Sequence, residues 1–465
     1  MHQFSHDNEN VPLSKFELML KTNSVYFFDA EEFEDIILHY IDNGKLSLAK
    51  KAIFLGLNQH PSSVALQLMK VEIFIVEEKY NEAEIILNKL HHIEPSNEEI
   101  YIQKASIYSK KGLHKKAIEV LQLAVEFSKD EIEIYSMIGM EYLFIDDFDT
   151  ARLNFAKCLE VDFDDYSALY NVIYCFDMLK QHDEAIKYLD KHINRDPYSE
   201  VAWHQLGRQY FIVENYEQAL VAFDYAILVD EEFIGAHLEK AKTLEKLKRY
   251  EEAIDFYNAT MELDTPTSFA YLQIGRCYEK LDNTEFALDY YNKTVNEDPL
   301  LDKGWLALTD IYIKKSNYQK ALYYIKKALS IDEENNEYWI KLAEINLKLN
   351  LFEEAAKAYR KTIELQDDRL DIYISFADVL YFLGDYNDAL DILYLTDKKD
   401  QNNPEILYRF FALNYLINEK PEAFLNLEKA LKIDFDHHLL VKDIYSTVFD
   451  MDEIKAIIKK FNEKS

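Results

Sequence analysis

From Val201 to Asp230 the apolar positions fall into two short groups, each with the spacing of one helix face. Trp203, Leu206, Gly207 and Tyr210 make the first group; Ala219, Phe223 and Ala226 make the second. The spacing predicts two helices of about 13 residues, each roughly 20 Å long at the helical rise per residue. Within both, size is placed as deliberately as polarity. Gly207, Ala219 and Ala226 let two backbones approach closely, and the bulky Trp203, Tyr210 and Phe223 fill the flanking space. A hairpin of this length buries too little to stand alone, so the pattern asks for more copies.

The copies are present. Ala49, Ala83, Ala117, Ala151, Ala185, Ala219, Ala253, Ala287, Ala321, Ala355, Ala389 and Ala423 follow one another at intervals of 34 residues without a slip. Counting this alanine as position 20 starts the units at Ala30, Val64, Glu98, Ile132, Tyr166, Glu200, Ile234, Ser268, Asp302, Asn336, Leu370 and Pro404. Trp203, Trp305 and Trp339, the three tryptophans, then all fall at position 4. Position 8 is Gly139, Gly207 or Gly275 in three units and Ala105, Ala241, Ala343 or Ala377 in four. Position 11 is a tyrosine in six, Tyr40, Tyr108, Tyr142, Tyr210, Tyr278 and Tyr312.

This pattern resembles the tetratricopeptide repeat, in which a large residue at 4, a small one at 8, an aromatic at 11, alanine at 20, a large residue at 24, a small one at 27 and often proline at 32 recur every 34 residues. Departures are local: Phe411 at position 8, His192 at position 27, and proline at 32 only as Pro61, Pro95, Pro197 and Pro299. The resemblance implies an all-α fold, an α-solenoid in which stacked antiparallel helix pairs wind into a right-handed superhelix. The division expected is residues 1–29 as an N-terminal tail and cap helix, 30–437 as twelve units, and 438–465 as a degenerate thirteenth unit closing the core. Asp29 to Glu32 reads as a capping box, with Phe16, Met19 and Leu20 on one side of the segment before it. Residue usage rich in Lys, Ile, Asn and Tyr is similar to that of long tetratricopeptide arrays from Bacteroidota-type bacteria.

Composition narrows the function. With 9 Gly and 8 Pro in 465 residues the chain lacks material for sheet turns. A formal net charge of -33 disfavours nucleic acid and anionic lipid as partners. No apolar run is long enough to span a bilayer and MHQFSHDNEN is no signal peptide, so membrane insertion is not expected. Cys158, Cys175 and Cys277 are odd in number and unclustered, as buried thiols in a reducing compartment would be, and the cytoplasm is the expected location.

No chemistry-bearing motif survives inspection. Walker, GxGxxG and GxSxG sequences are absent, so no catalytic residue and no cofactor are assigned, and the protein reads as not an enzyme. His2 with His6 lie in a polar tail, while His91 with His92 and His437 with His438 are adjacent and diverge on a helix. Asp162, Asp164 and Asp165 lack the glycine of a calcium loop. No metal ligand is assigned.

What remains is a surface. Positions 2, 5, 9 and 12 of each first helix form a stripe outside the stacking face, and by resemblance this stripe lines a concave groove that takes extended peptides. Units four to six place Met140, Tyr170, Tyr174, His204 and Phe211 there, and Asn171, Gln205 and Gln273, at position 6 of units five, six and eight, offer amides to a guest backbone. Arg208, Lys242 and Arg276 occupy position 9 in units six to eight, a local reversal of sign. Two readings stand: the three cations hold an acidic or mixed acidic-aromatic segment, or Glu239, Glu245 and Glu279 pair with Lys242 and Arg276. The carboxylate clamp of some tetratricopeptide cochaperones needs Lys at position 5 and Asn at position 9, and no unit has either. The expected function is a noncatalytic scaffold or adaptor, monomer or dimer, holding a protein or peptide partner. The alternatives are a substrate-recruiting subunit for an enzyme on a separate chain and a self-assembling structural protein.

Overall fold

The computed structural model describes residues 11–22, 25–128, 130–263, 267–396 and 403–462. Among them there are helices and turns but no strand. The residues divide into two compact units, Met1–Ala236 and His237–Ser465. The tail histidines His2 and His6 lie outside the described residues.

Each unit is built from helix pairs that follow one another in register. In the N-terminal unit the first helices open at Ala30, Val64, Glu98, Glu131, Tyr166 and Glu200. The fourth starts one residue ahead of the repeat phase because Asp130 caps it, its carboxylate accepting the Ile132 N–H at 3.2 Å. In the C-terminal unit they open at Ser268, Asp302, Asn336, Leu370 and Pro404, while the helix Ile234–Lys246 bridges the boundary in sequence. At the N-terminal end Val11–Thr22 packs Phe16 against Phe28 and Phe33 at ring separations of 6.0 and 6.2 Å. The Asp29 N–H donates to the Glu32 carboxylate at 2.9 Å.

One turn joins the two helices of every pair. Its position 15 is left-handed throughout, from Gly44 at φ 66° to Asn418 at φ 70°. Nine of these residues are not glycine, among them Glu78, Lys180, Glu214 and Lys248. The next N–H reaches back to the carbonyl of position 11, as in Asn215 to Tyr210 and Arg249 to Leu244, both within 2.9 Å, and so closes the first helix with a 6→1 bond. A side chain in this conformation costs on the order of 1 kcal/mol. The hydrogen bond and the packing of the second helix offset it.

Packing explains the sizes read from the sequence. All twelve alanines at position 20 are wholly inaccessible to solvent. At position 8, Gly139, Gly207 and Gly275 face the rings of Phe155, Phe223 and Tyr291 at position 24, and a Cβ on Gly207 would stand 2.5 to 2.8 Å from the Phe223 ring. Where position 8 is larger, position 24 is aliphatic: Ile37 with Ile53, Val71 with Leu87, Ile173 with Leu189, Thr309 with Ile325, and Phe411 with Leu427. A ring stands at position 24 only where position 8 is Gly or Ala, so Phe411 facing the aliphatic Leu427 follows the same rule and is not a packing fault. Trp203 and Trp305 donate from Nε1 to the carbonyls of Pro197 and Pro299, both at 2.9 Å, and Trp339 donates to the Glu333 carbonyl at 2.8 Å. Position 4 thereby pins the loop entering its own pair. Cys158, Cys175 and Cys277 are free and buried, and burial pushes their thiols up to about 11, 11 and 12.

Gly207→Ile should destabilise the chain by about 3 kcal/mol. Adding Phe223→Leu, which rebuilds the Ile173 and Leu189 combination, should recover at least about 1 kcal/mol relative to the sum of the two single losses. Chemical denaturation of the four proteins measures it; losses that simply add would show that the two side chains do not share the space.

Candidate partner-binding surface

Three first helices of the N-terminal unit, Glu131–Phe144, Tyr166–Met178 and Glu200–Ile212, present large apolar side chains to solvent. Met140 and Phe144 are 40% and 58% exposed, Tyr170, Tyr174 and Met178 are 40%, 47% and 47%, and Ile212 is 43%. These are positions 5, 9 and 13, a column in steps of four. The stripe as read from the sequence runs from position 9 to 12 and includes Phe211, which is only half-exposed and lies edge-on to Tyr216 at 5.4 Å. Phe144, Met178 and Ile212 were missed. The i, i+4 neighbour rule, carried one step beyond position 9, would have found them.

Two residues expected on the stripe are not on the surface. His204 and Gln205 are 8% and 1% exposed. Phe233 packs edge-on to the His204 ring at 5.0 Å and Phe223 lies 5.9 Å from it. Gly235, with no side chain of its own, leaves the imidazole room; a Cβ there would stand 3.6 Å from Nε2. The Gln205 carbonyl accepts from Arg208 Nη1 at 3.3 Å, so this amide orients the guanidinium. Asn171 is half-buried.

Contacts between successive pairs fix the column. In repeats three and four the residue opening the second helix, position 17, leans on the next first helix. His114 stacks on Phe144 at 5.0 Å with Nδ1 2.8 Å from the Glu141 carboxylate, and Phe148 meets Tyr174 edge-on at 6.4 Å. Gln209 Nε2 donates to Asp177 at 2.8 Å while its carbonyl faces His182 Nδ1 at 3.0 Å. Because the aromatic residues of the column are held by these neighbours, they lose little freedom when a guest covers them.

Arg208 belongs to the N-terminal unit, Lys242 and Arg276 to the C-terminal one. Lys242 is paired with Glu239 at 2.9 Å. Arg276 Nη1 donates to the half-buried Gln273 at 3.3 Å, as Arg208 does to Gln205, and among the described residues neither arginine forms an ion pair. Glu245 and Glu279 are engaged elsewhere: Tyr257 donates to Glu245, Tyr291 donates to Glu279 at 2.9 Å, and Lys314 pairs with Glu279. Burial raises the Glu245 carboxyl against the pull of Tyr257 and Arg276. Among the described residues no group of three or more His, Cys, Asp or Glu is placed to hold a metal ion, and no helix is long and apolar enough to cross a membrane.

Family models for the tetratricopeptide repeat match residues 98–131, 136–200, 204–265, 269–300 and 306–369, more than half of the chain. The chain belongs to the tetratricopeptide repeat family. A 150-residue stretch is 24% identical to anaphase-promoting complex subunit 3 of Schizosaccharomyces pombe, covering 32% of this chain and 23% of that one. A tetratricopeptide repeat protein from Parabacteroides merdae shares 18% identity over 54% of this chain and 98% of its own, with a TM-score of 0.39. YrrB, a tetratricopeptide protein with an unusual peptide-binding site, shares 16% identity over 40% of this chain and 95% of its own, with a TM-score of 0.33. Likeness at this level carries nothing about partners.

In repeats two to four the stripe changes character. Glu72, at position 9 of repeat two, and Glu99 and Glu133, at position 2 of repeats three and four, lie close enough to interact. Burial first, and then the charges of Glu133, Glu72 and Glu98, lift the Glu99 carboxyl above its ordinary value of 4.5, although Gln103 donates to it at 2.8 Å and works the other way. A carboxyl raised in the folded state binds more protons folded than unfolded above pH 4.5, so its effect on stability worsens as pH rises through that window. Glu99→Gln should therefore raise the melting temperature at pH 7, and the gain should vanish below the ordinary glutamate value. A gain that persists at pH 3.5, roughly a unit below that value, would trace to packing instead.

Proposed function

We propose that the protein is a scaffold or adaptor that binds a partner polypeptide along the first-helix column of repeats four to six, working without chemistry of its own. One observation carries the reading: six large apolar side chains stand 40 to 58% exposed at matched positions of three consecutive helices. Singly exposed apolar residues are ordinary, but a contiguous aromatic and methionine column is the composition of an interface centre. The guest is an extended segment that lays apolar side chains between Met140, Tyr170, Tyr174 and Met178 and carries acidic residues toward Arg208. That guanidinium is held in place by Gln205 and, among the described residues, forms no ion pair. Three buried free thiols suit a reducing compartment, and the cytoplasm is the location proposed.

Partners captured from cells by the intact chain, identified by mass spectrometry and reduced to the bound segment, supply the ligand for a direct test. Replacing Tyr174 and Met178 by Ser should weaken that segment by roughly 30-fold or more, the scale of losing about 2 kcal/mol at an interface anchor. Arg208→Glu should weaken it further and steepen no salt dependence, because the cation that produced it is gone. Both sites are partly or largely exposed, so melting temperatures should hold. Binding that survives both changes in a folded protein sinks the proposal.

A further inference from the structure

In the C-terminal unit the chain itself occupies part of its own stripe. After Ile433 the paired-helix plan gives way to two short helices, His438–Lys442 and Ser446–Phe449, and Tyr445 between them is wholly buried. Its hydroxyl donates to the Asp378 carboxylate at 2.7 Å, and Arg409 grips the same carboxylate through Nε and Nη2, both at 2.8 Å. The Tyr381 ring lies 4.3 Å from the Tyr445 ring, and its hydroxyl is 2.8 Å from that of Thr447. Asp378 and Tyr381 are positions 9 and 12 of repeat eleven, and Arg409 is position 6 of repeat twelve. Beneath the segment, Ile374 and Tyr408 at position 5 are buried as well. Burial, and then the charge of Asp378, holds the Tyr445 hydroxyl well above the ordinary phenol range, so it remains a donor.

Two repeats upstream an equivalent acid–base pair recurs without the occupant, with lysine in place of arginine. Asp310 and Lys341 stand 68 positions before Asp378 and Arg409, since 378 − 310 and 409 − 341 are both 68, and they form the same ion pair. Their side chains are 37% and 27% exposed, against 14% and 5% for the terminal pair. Positions 5 and 12 supply Leu306, Ile313, Ile340 and Leu347, an apolar floor left only partly covered. A carboxylate that has accepted one cation keeps acceptor sites free, and Lys341 offsets its charge, so a neutral phenol can approach. Glu344 stands where the terminal seat has Ala412, which adds one carboxylate and favours a guest with a basic residue beside its tyrosine.

We propose that repeats nine and ten form an open seat for a tyrosine of a partner polypeptide, whose hydroxyl donates to Asp310 as Tyr445 does to Asp378. Tyr445 of a second copy is not the guest, because it is already enclosed. The seat lies in the C-terminal unit, apart from the column of repeats four to six, so either can fail without the other.

The probe is a fluorescein-labelled peptide of residues Val441 to Phe449, which carries both the tyrosine and Lys442, titrated against the full chain by polarisation. Saturable binding is expected, with the Tyr445→Phe peptide weaker by about tenfold, the usual scale for a hydrogen bond to a charged acceptor. Asp310→Ala in the protein should reduce the tyrosine peptide to the level of the phenylalanine one; should that variant fail to fold, Asp310→Asn keeps the shape and should show part of the same loss. Absence of saturation up to about 1 mM, equal affinity of the two peptides, or binding indifferent to Asp310, which would mean exchange at the terminal seat, each overturns the proposal.

Discussion

The structure depends on one constraint, the distance of closest approach between two helix backbones at the alanine of position 20. Twelve methyl groups fully sealed from water mean that nothing larger fits and that every neighbouring side chain is sized around that gap. The exchange between positions 8 and 24 follows. A ring such as Phe223 enters the space vacated by Gly207, and an aliphatic Leu189 suffices where Ile173 already fills it. Because each pair is sealed in the same way, the outward side chains are free of packing duty. That freedom lets one family of hairpins carry an apolar column in repeats four to six, carboxylates in repeats two to four and ion-paired seats further on.

Charge on this surface is managed locally. A chain with 33 excess negative charges still places Lys242 beside Glu239, Lys341 beside Asp310 and Arg409 beside Asp378. Screening over about 8 Å at physiological salt makes those neighbours matter more than the total. Arg208 and Arg276 differ because each leans on a neutral amide, which spends none of their charge. The stripe is thus a series of short stretches with different preferences.

Fold class was legible in the sequence because the information is local and repeated. Alanine at 20, the size pattern at 8 and 24 and tryptophan at 4 each depend on contacts within one pair or its entering loop, and periodicity exposes them. The surface was legible in part. Met140, Tyr170 and Tyr174 are exposed on the stripe, while the choice between positions 12 and 13 is one helical step that spacing in fours from position 9 resolves in favour of 13. The burial of His204 is not visible in the stripe because it involves Phe233, a residue of the following loop. The left-handed turn was hidden too, since nine of its twelve residues are not glycine and carry no mark in the sequence. Tyr445 lies in the degenerate last unit, and its partner Asp378 is 67 residues away, beyond the reach of a 34-residue pattern.

That separation bears on how the molecule is made. Contacts between adjacent repeats reach back little more than one hairpin, so a chain emerging from the ribosome can fold each newly exposed pair onto the last, with little entropy lost to loop closure. The Tyr445 clasp spans twice that distance and has to wait for repeats eleven and twelve to be in place. It forms only after the hairpins it clasps, and until it closes the seat of repeats eleven and twelve is as open as the one two repeats before it.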